Sequence, residues 1–208
     1  MKRLLFLVAS LSCFTFMTAK NGITLKSGNL SVFAQSAKAS IVFDYSKAGI
    51  EGKDISVEDY IDQKGPKFSE KWKAGLKTAK ALFIKRFNKK SPGLQLTGSK
   101  DKDVKYQIIV YVSSVNMGNT VKSALPVGVK TDGGAVLFGK IEVKDAKKAS
   151  LCTLKLTDIQ GLGQFNVQAR MYSVYQELCN ALLKTIKKED SSKSGKADSE
   201  GEEEEDDE

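Results

Sequence analysis

Residues 66–93 read PKFSEKWKAGLKTAKALFIKRFNKKSPG, and this stretch predicts a long amphipathic helix. Pro66 suits the first helical turn, and Ser91-Pro92-Gly93 ends the helix. Large apolar side chains recur at spacings of three or four, which places them on one side that packs on a sheet: they are Phe68, Trp72, Leu76, Ala79, Phe83 and Phe87. The lysines beside or opposite this stripe should face water and form a candidate basic surface, Lys67, Lys71, Lys77, Lys80 and Lys85.

Two strands and a short helix are expected before the long helix. The strands are Gly28 to Phe33 and Lys38 to Ser46, and apolar and polar residues alternate in the second of them. Ser56-Val57-Glu58-Asp59 resembles a capping box, which predicts a helix from about Val57 to Gln63.

Three strands and a final helix are expected after it. The strands are Tyr106 to Met117, Ala135 to Val143 and Leu151 to Asp158. Gly139 interrupts the second of these, which indicates a bulge or a close backbone approach. The helix runs from about Gln164 to Lys188, and its apolar stripe is Met171, Tyr175, Leu178, Leu182 and Ile186.

This order of elements predicts an α+β fold in two layers. A mostly antiparallel sheet of about five strands, with the two main helices on one face, is the simplest arrangement that buries both helical stripes. Because the strands alternate, one face of the sheet should be buried and the other wet.

The first 19 residues are expected to be a signal peptide. Met1-Lys2-Arg3 is a basic start, an apolar stretch follows, and cleavage after Ala19 fits best. Residues 20–188 then form a single basic domain, and the protein is exported to the periplasm or secreted. A buried first strand or helix is the alternative interpretation of the apolar stretch. Cys13 leaves a second choice open, a lipoprotein at the outer membrane, although Ser10-Leu11-Ser12 does not fit the usual lipidation pattern.

Charge is divided unevenly along the chain. Residues 189–208 contain eleven acids and two lysines and no large apolar side chain, so a disordered acidic tail is expected there. Subtracting the tail's −9 and the signal's +2 from the formal charge of +8 leaves +15 on the body. Such a charge attracts anionic partners, and the tail could compete with them for the body.

The sequence argues against catalysis and against a cofactor. The chain contains no histidine, which removes the commonest general base and histidine metal ligation. No phosphate-binding loop or complete dinucleotide fingerprint is present. Asp44, Asp132 and Asp158 lie near strand ends or in loops, where aspartates usually cap turns. Cys152 and Cys179 fall on inferred buried faces, where they form either a disulfide or two separately buried thiols.

The Gly-rich connection from Gly118 to Gly134 is longer than most loops, and long loops without secondary structure are often functional. It is therefore a candidate binding loop, and its polar candidates are Asn119, Lys122, Lys130 and Asp132.

The order of strands and helices resembles small envelope accessory modules of Gram-negative bacteria, of the kind found in the TolB amino-terminal domain and in LpoB-type lipoproteins. The signal peptide and the segment Ile41-Val42-Phe43-Asp44-Tyr45-Ser46 also resemble those of exported proteins of Bacteroidetes. The resemblance covers roughly Gly28 to Lys188 and carries no functional residue with it. It implies a binding or assembly role.

Two functional hypotheses follow. The first is a non-enzymatic interaction module of the cell envelope that binds another envelope protein through its sheet edge or through the candidate loop. The alternative is an electrostatic binder of an anionic polymer or lipid, such as lipopolysaccharide, glycan or nucleic acid, with the acidic tail as an intramolecular competitor. Aromatic residues commonly accompany lysines in nucleic-acid binders, but those of residues 66–90 are needed in the core.

Overall fold

The computed structural model describes residues 22–98, 103–118, 134–164 and 166–197, with side chains up to residue 189. Seven strands, three α-helices and one 3₁₀ helix are present in this part of the chain. The strands are β1 (Gly22–Gly28), β2 (Lys38–Asp44), β3 (Gly49–Ile50), β4 (Gln95–Thr97), β5 (Val104–Asn116), β6 (Val136–Asp145) and β7 (Ser150–Gln160). The α-helices are α1 (Val57–Gln63), α2 (Pro66–Lys90) and α3 (Val167–Ala197), and the 3₁₀ helix is Leu30–Ala34.

All seven strands belong to one sheet in the order β1-β7-β6-β5-β2-β4, with β3 beside β5. The α/β content is as expected, but the prediction of about five mostly antiparallel strands is wrong. β2 runs parallel to both β4 and β5, and β3 also runs parallel to β5, so the sheet is mixed. After β2, the chain returns through α1 and α2 to the end of the sheet at which β2 begins. β4 and β5 therefore start at the same end as β2 and run parallel to it. β3 and β4 were missed because two or three residues are too short to show a period of two.

The predicted first strand is also wrong. β1 ends at Gly28, where the predicted strand begins, and most of the predicted segment forms the 3₁₀ helix. The Asn29 side chain accepts a hydrogen bond from the Ser31 backbone N–H at 3.0 Å and so starts this turn. Leu30, Val32 and Phe33 are buried, which shows that their apolar character reflects core packing rather than a strand.

The starts of α1 and α2 follow the sequence signals. The Ser56 hydroxyl accepts a hydrogen bond from the Asp59 backbone N–H at 2.9 Å and donates one to the Asp59 carboxylate at 2.7 Å. Gly65 precedes α2 with φ +83°, a left-handed conformation that glycine adopts without strain. Pro66 then occupies the first turn, so both predicted helix starts are confirmed.

Helices α2 and α3 pack against each other and cover one face of the sheet. Their contact with the sheet is partly aromatic: the Phe43 ring centroid on β2 lies 5.6 Å from that of Phe83 on α2 and 4.6 Å from that of Tyr175 on α3. All five residues of the predicted α3 stripe are buried. The other face of the sheet is not covered by any helix among the described residues.

Gly139 lies at an irregularity in the sheet. The β5–β6 register shifts between Val112 and Ser114, so that β5 has one extra residue opposite β6. A Cβ atom at Gly139 would lie 2.0 Å from the Tyr111 carbonyl oxygen. The predicted bulge and close backbone approach are both confirmed, and only glycine fits here without a shift of the backbone.

Helix α3 begins at Val167 and its backbone continues to Ala197, into the segment that the sequence predicts to be a disordered tail. Residues 1–21, which contain the expected signal peptide, and residues 198–208 lie outside the described residues. No helix within the described ranges is long and apolar enough to cross a membrane.

Candidate binding surfaces

The uncovered face of the sheet, here called the open face, carries one continuous row of polar side chains. Strand register places its members side by side across five strands: Asp44 of β2, Tyr111 of β5, Lys140 of β6, Lys155 of β7 and Thr24 of β1. We call these five residues the basic row. Lys140, Lys155 and Thr24 are exposed, whereas Asp44 and Tyr111 are half-buried.

Two lysines are direct cross-strand partners in this row. Lys140 and Lys155 occupy paired positions of the antiparallel β6 and β7, where side chains begin about 5 Å apart. The Lys140 ammonium lies 4.8 Å from the centroid of the Tyr111 ring, a cation–π contact. Like charges placed directly opposite each other destabilise a sheet. The stability of the sheet therefore does not explain why two lysines occupy these paired positions.

The next lysine along β6 has a carboxylate partner. The Lys144 ammonium lies 3.5 Å from a Glu142 carboxylate oxygen. Partial burial disfavours the ammonium, but the charge of Glu142 and a contact with Tyr111 outweigh that effect, so the pKa of Lys144 is raised. The open face is therefore not uniformly basic, and Lys140 and Lys155 are the two lysines on it that are direct cross-strand partners.

An open groove of about 570 Å³ runs beside the Tyr111 end of the basic row. It is lined by residues of β2, β5 and β6 and of the turn after β2, namely Asp44, Ser46, Lys47, Tyr111, Val112, Ser113, Gly139 and Lys140. Gly139 lines this groove with its backbone, and Ser113, which lies at the β5 bulge, is exposed.

The aspartates near strand ends perform structural tasks. The Asp44 carboxylate accepts a hydrogen bond from the Ser46 backbone N–H at 2.9 Å, and hydrogen bonds from Ser46 lower the pKa of Asp44. Asp158 has φ +55° and is the extra residue where the β6–β7 register shifts. Asp132 lies outside the described residues.

A second groove, of about 280 Å³, lies between β2 and α2, and we call it the edge groove. It is lined by Val42, Phe43, Tyr45, Leu76, Lys77, Lys80 and Tyr175. The hydroxyls of Tyr45 and Tyr175 hydrogen-bond to each other. The edge groove thus has an aromatic and aliphatic lining and two lysines.

The structure divides the predicted basic surface of α2. Lys67, Lys71 and Lys85 are exposed and do not line either groove. Lys77 is also exposed, but it lines the edge groove together with Lys80. Lys80 is half-buried, and its burial lowers the pKa of the ammonium.

Cys152 and Cys179 are both free and buried, so the disulfide alternative is not what the structure contains. The reason is their placement: the Cys179 Sγ lies 3.8 Å from the Phe83 carbonyl oxygen of α2, whereas Cys152 is on β7 between Val143 and Gly28. Burial raises the pKa of Cys152 to about 11 and that of Cys179 to about 12. Neither thiol is an activated nucleophile.

The candidate binding loop is largely outside the described residues, and this includes Asn119, Lys122, Lys130 and Asp132. Its two ends are held by buried contacts. Arg170 of α3 donates from Nε to the Met117 carbonyl and from Nη1 to the Gln164 carbonyl, both at 2.8 Å. The Gly161 backbone N–H donates to the Ala135 carbonyl at 2.9 Å. Sequence reasoning missed Arg170, which is only 2% exposed.

Sequence reasoning also missed the basic row, although its residues are visible in the strand patterns. Lys140 and Lys155 are outward residues of their predicted strands, but only the register brings them together. Within the described ranges no group of three or more cysteine, aspartate or glutamate side chains is arranged to hold a metal ion.

No protein-family model matches the chain, and no curated protein matches it. Among solved structures, the chain is similar to the PelC dodecamer from Paraburkholderia phytofirmans, with 10% identity and a TM-score of 0.39 over 76% of this chain and 96% of that chain. A point variant of the same dodecamer in a second crystal form gives 10% identity, a TM-score of 0.38 and the same coverage. Similarity at this level assigns neither a family nor a function to the chain.

Proposed function

We propose that the chain is an exported, non-enzymatic interaction module of the bacterial cell envelope, and that it binds a protein partner on its open face. The observation that carries this proposal is the in-register pair Lys140 and Lys155 beside Tyr111 on a face that no described helix covers. A sheet that retains two opposed lysines gains if a partner supplies a carboxylate between them.

The apolar side chains beside the basic row favour a protein partner over a simple polyanion. Val42 is 39% exposed on the open face, and its cross-strand partner Ile109 is half-buried. Together with the Tyr111 ring they form an apolar patch beside the lysines. Protein interfaces combine a patch of apolar and aromatic side chains with a charged rim, and a partner with an acidic group next to an apolar one would match this surface.

The non-enzymatic part of the proposal is supported by the chemistry of the described residues. The buried cysteine thiols have raised pKa values, and the Asp44 carboxylate is engaged in its own turn. With no histidine in the chain, none of these groups is activated as a base or a nucleophile.

Site-specific photo-crosslinking tests this proposal. A photoreactive residue replaces Ser113, which is exposed and lines the open-face groove, and a control chain carries it at Lys85 on α2. We expect a discrete adduct with one envelope protein from position 113, at physiological salt, and none from position 85. Equal labelling from the two positions would refute the open face as the interaction surface.

Binding of an anionic polymer or lipid is a second candidate function, which the charge of +15 on the body favours. Binding to lipopolysaccharide, glycan and nucleic acid should be measured across a salt series, with the complete chain and with residues 189–208 removed. If this function is the main one, removal of the tail strengthens binding and added salt abolishes it. A protein complex with an apolar centre would instead survive moderate salt.

A further inference from the structure

The outer edge of β2 is covered over only part of its length. β4 pairs with Lys38, Ala39 and Ser40, and among the described residues no strand continues along β2 beyond that point. The Ala37 carbonyl accepts a hydrogen bond from the Gln95 backbone N–H at 2.8 Å. Because alternate residues of a strand direct their backbone groups to the same side, the N–H and C=O of Phe43 face the uncovered part of the edge.

This uncovered edge differs from the opposite edge of the sheet. At that edge, β1 has a register irregularity between Leu25 and Ser27 and an exposed lysine, Lys26, within it. A bulge and an outward lysine are the usual means of protecting an edge strand from unwanted pairing. No register shift interrupts β2 from Ala39 to Asp44, and this part of the strand contains neither lysine nor proline.

The uncovered edge borders the edge groove, whose floor is fixed by packing. The Phe43 ring lies against both Phe83 and Tyr175. The hydroxyls of Tyr45 and Tyr175 hydrogen-bond to each other, so neither is left without a partner beneath the groove. The floor therefore presents an apolar surface that a partner's side chain could cover.

Two lysines of α2 form the far side of the groove. Lys77 and Lys80 are three residues apart and both line it. A Cβ atom at Gly98, directly after β4, would lie 3.9 Å from the Lys80 Cε, which places Lys80 where the pairing of β4 with β2 ends. The half-buried Lys80 ammonium is partly desolvated, so a carboxylate placed beside it would be attracted more strongly than by a fully hydrated lysine.

We propose that the edge groove binds an extended segment of a protein partner as an additional strand beside Phe43, with an acidic side chain of the segment facing Lys77 and Lys80. Backbone hydrogen bonds to an open edge give such complexes their affinity, and side-chain pockets give their specificity. The chain's own acidic run, 202–208, has no apolar side chain to cover Phe43 and Leu76. The partner segment therefore needs both apolar and acidic side chains on the face that it turns towards α2, which places them two residues apart along the strand. The edge groove shares only Val42 with the residues named on the open face, and this inference does not depend on the proposed function.

The test uses the complete chain and an acetylated peptide of about eight residues with the repeat Val-Ser-Glu-Ser, which puts valine and glutamate on the same face of the strand. Binding is measured by calorimetry, and backbone amide exchange is followed by NMR. A second peptide has the same sequence but carries N-methyl groups on alternate residues, which removes its strand-forming donors. The matched variants are the pair Lys77→Glu and Lys80→Glu and, as the control with the same change of charge, the pair Lys67→Glu and Lys71→Glu.

We expect the peptide to slow exchange of the Phe43 amide, the N-methylated peptide to have no such effect, and the Lys77/Lys80 variant to bind roughly tenfold more weakly than the control. Three results would each overturn the inference. They are unchanged exchange at Phe43 in millimolar peptide, equal binding of the N-methylated peptide, and equal weakening in both variants. A failure here leaves the crosslinking result at Ser113 unaffected, so the two proposals fail separately.

Discussion

Replacing Lys155 by glutamate should stabilise the fold, because it converts the opposed lysine pair into a pair of opposite charges. Lys140 and Lys155 are cross-strand partners and both are exposed. Cross-strand charge pairs contribute roughly 0.2–1 kcal/mol each, and solvent screening reduces this at exposed positions. Removing a repulsion and adding an attraction should therefore raise the free energy of unfolding by about 0.5–1 kcal/mol.

The assay is thermal and urea unfolding at low and high salt. For a domain of this size the change corresponds to an increase in Tm of about 1–4 °C. In 1 M salt, where the screening length is about 3 Å, the gain should largely disappear. The control is Lys155→Glu in a chain that already carries Lys140→Glu, because there the same change in net charge at the same position restores an opposed pair of like charges.

Two results would contradict this expectation: a lower stability of Lys155→Glu, or an equal gain from Lys155→Glu in the chain that carries Lys140→Glu. The first result would mean that the opposed lysines do not repel each other in the folded chain. The second would mean that net charge, rather than the cross-strand pair, determines the effect.

Three further changes have expected outcomes. Arg170→Leu should lower the free energy of unfolding, measured in urea, by roughly 2–4 kcal/mol, because the Met117 and Gln164 carbonyls lose their donor. A decrease below about 0.5 kcal/mol would contradict this expectation. Gly139→Ala should lower the free energy of unfolding by roughly 1–3 kcal/mol, because its Cβ would lie 2.0 Å from the Tyr111 carbonyl oxygen. Unchanged stability would show that the backbone at the bulge can shift without a cost in free energy. Cys152 and Cys179 should resist alkylation at pH 8 until the chain unfolds. Their pKa values are raised in the folded state from 9.0 to about 11 and about 12, so the stability that they contribute is complete below about pH 9 and is lost as the pH rises towards 12. A double alanine variant should lose less stability over this range, and its remaining loss comes from the buried hydroxyls of Tyr45 and Tyr175, whose pKa values are also raised.

The elements with strong local signals were predictable from the sequence. Helices α1 and α2 have the predicted bounds, because Ser56, Pro66 and Pro92 mark their ends. The 3₁₀ helix was predicted as a strand. Its apolar residues Leu30, Val32 and Phe33 are buried in the core, and their spacing does not distinguish a short 3₁₀ helix from a strand. The parallel pairing of β2 depends on the crossover through α1 and α2, which is a non-local property of the chain.

The candidate surfaces were less predictable than the fold. Composition indicated a basic body, and helical spacing indicated lysines along α2, but only tertiary structure separates Lys77 and Lys80 from Lys67 and Lys71. The basic row depends on the register of five strands. The sequence indicated a wet face of the sheet through the alternation of its strands, with Lys155 outward, and it indicated the bulge at Gly139, whose backbone lines the groove beside the row.

Charge reversal within the basic row tests whether the open face is the partner-binding surface. The measurement is the yield of the crosslinked adduct from position 113 in two otherwise identical chains. One carries Lys140→Glu and Lys155→Glu, and the other carries Lys67→Glu and Lys71→Glu as a control with the same net charge. We expect a loss of about tenfold or more in the first chain and no loss in the second; equal yields in the two chains would show that the partner does not bind at the basic row.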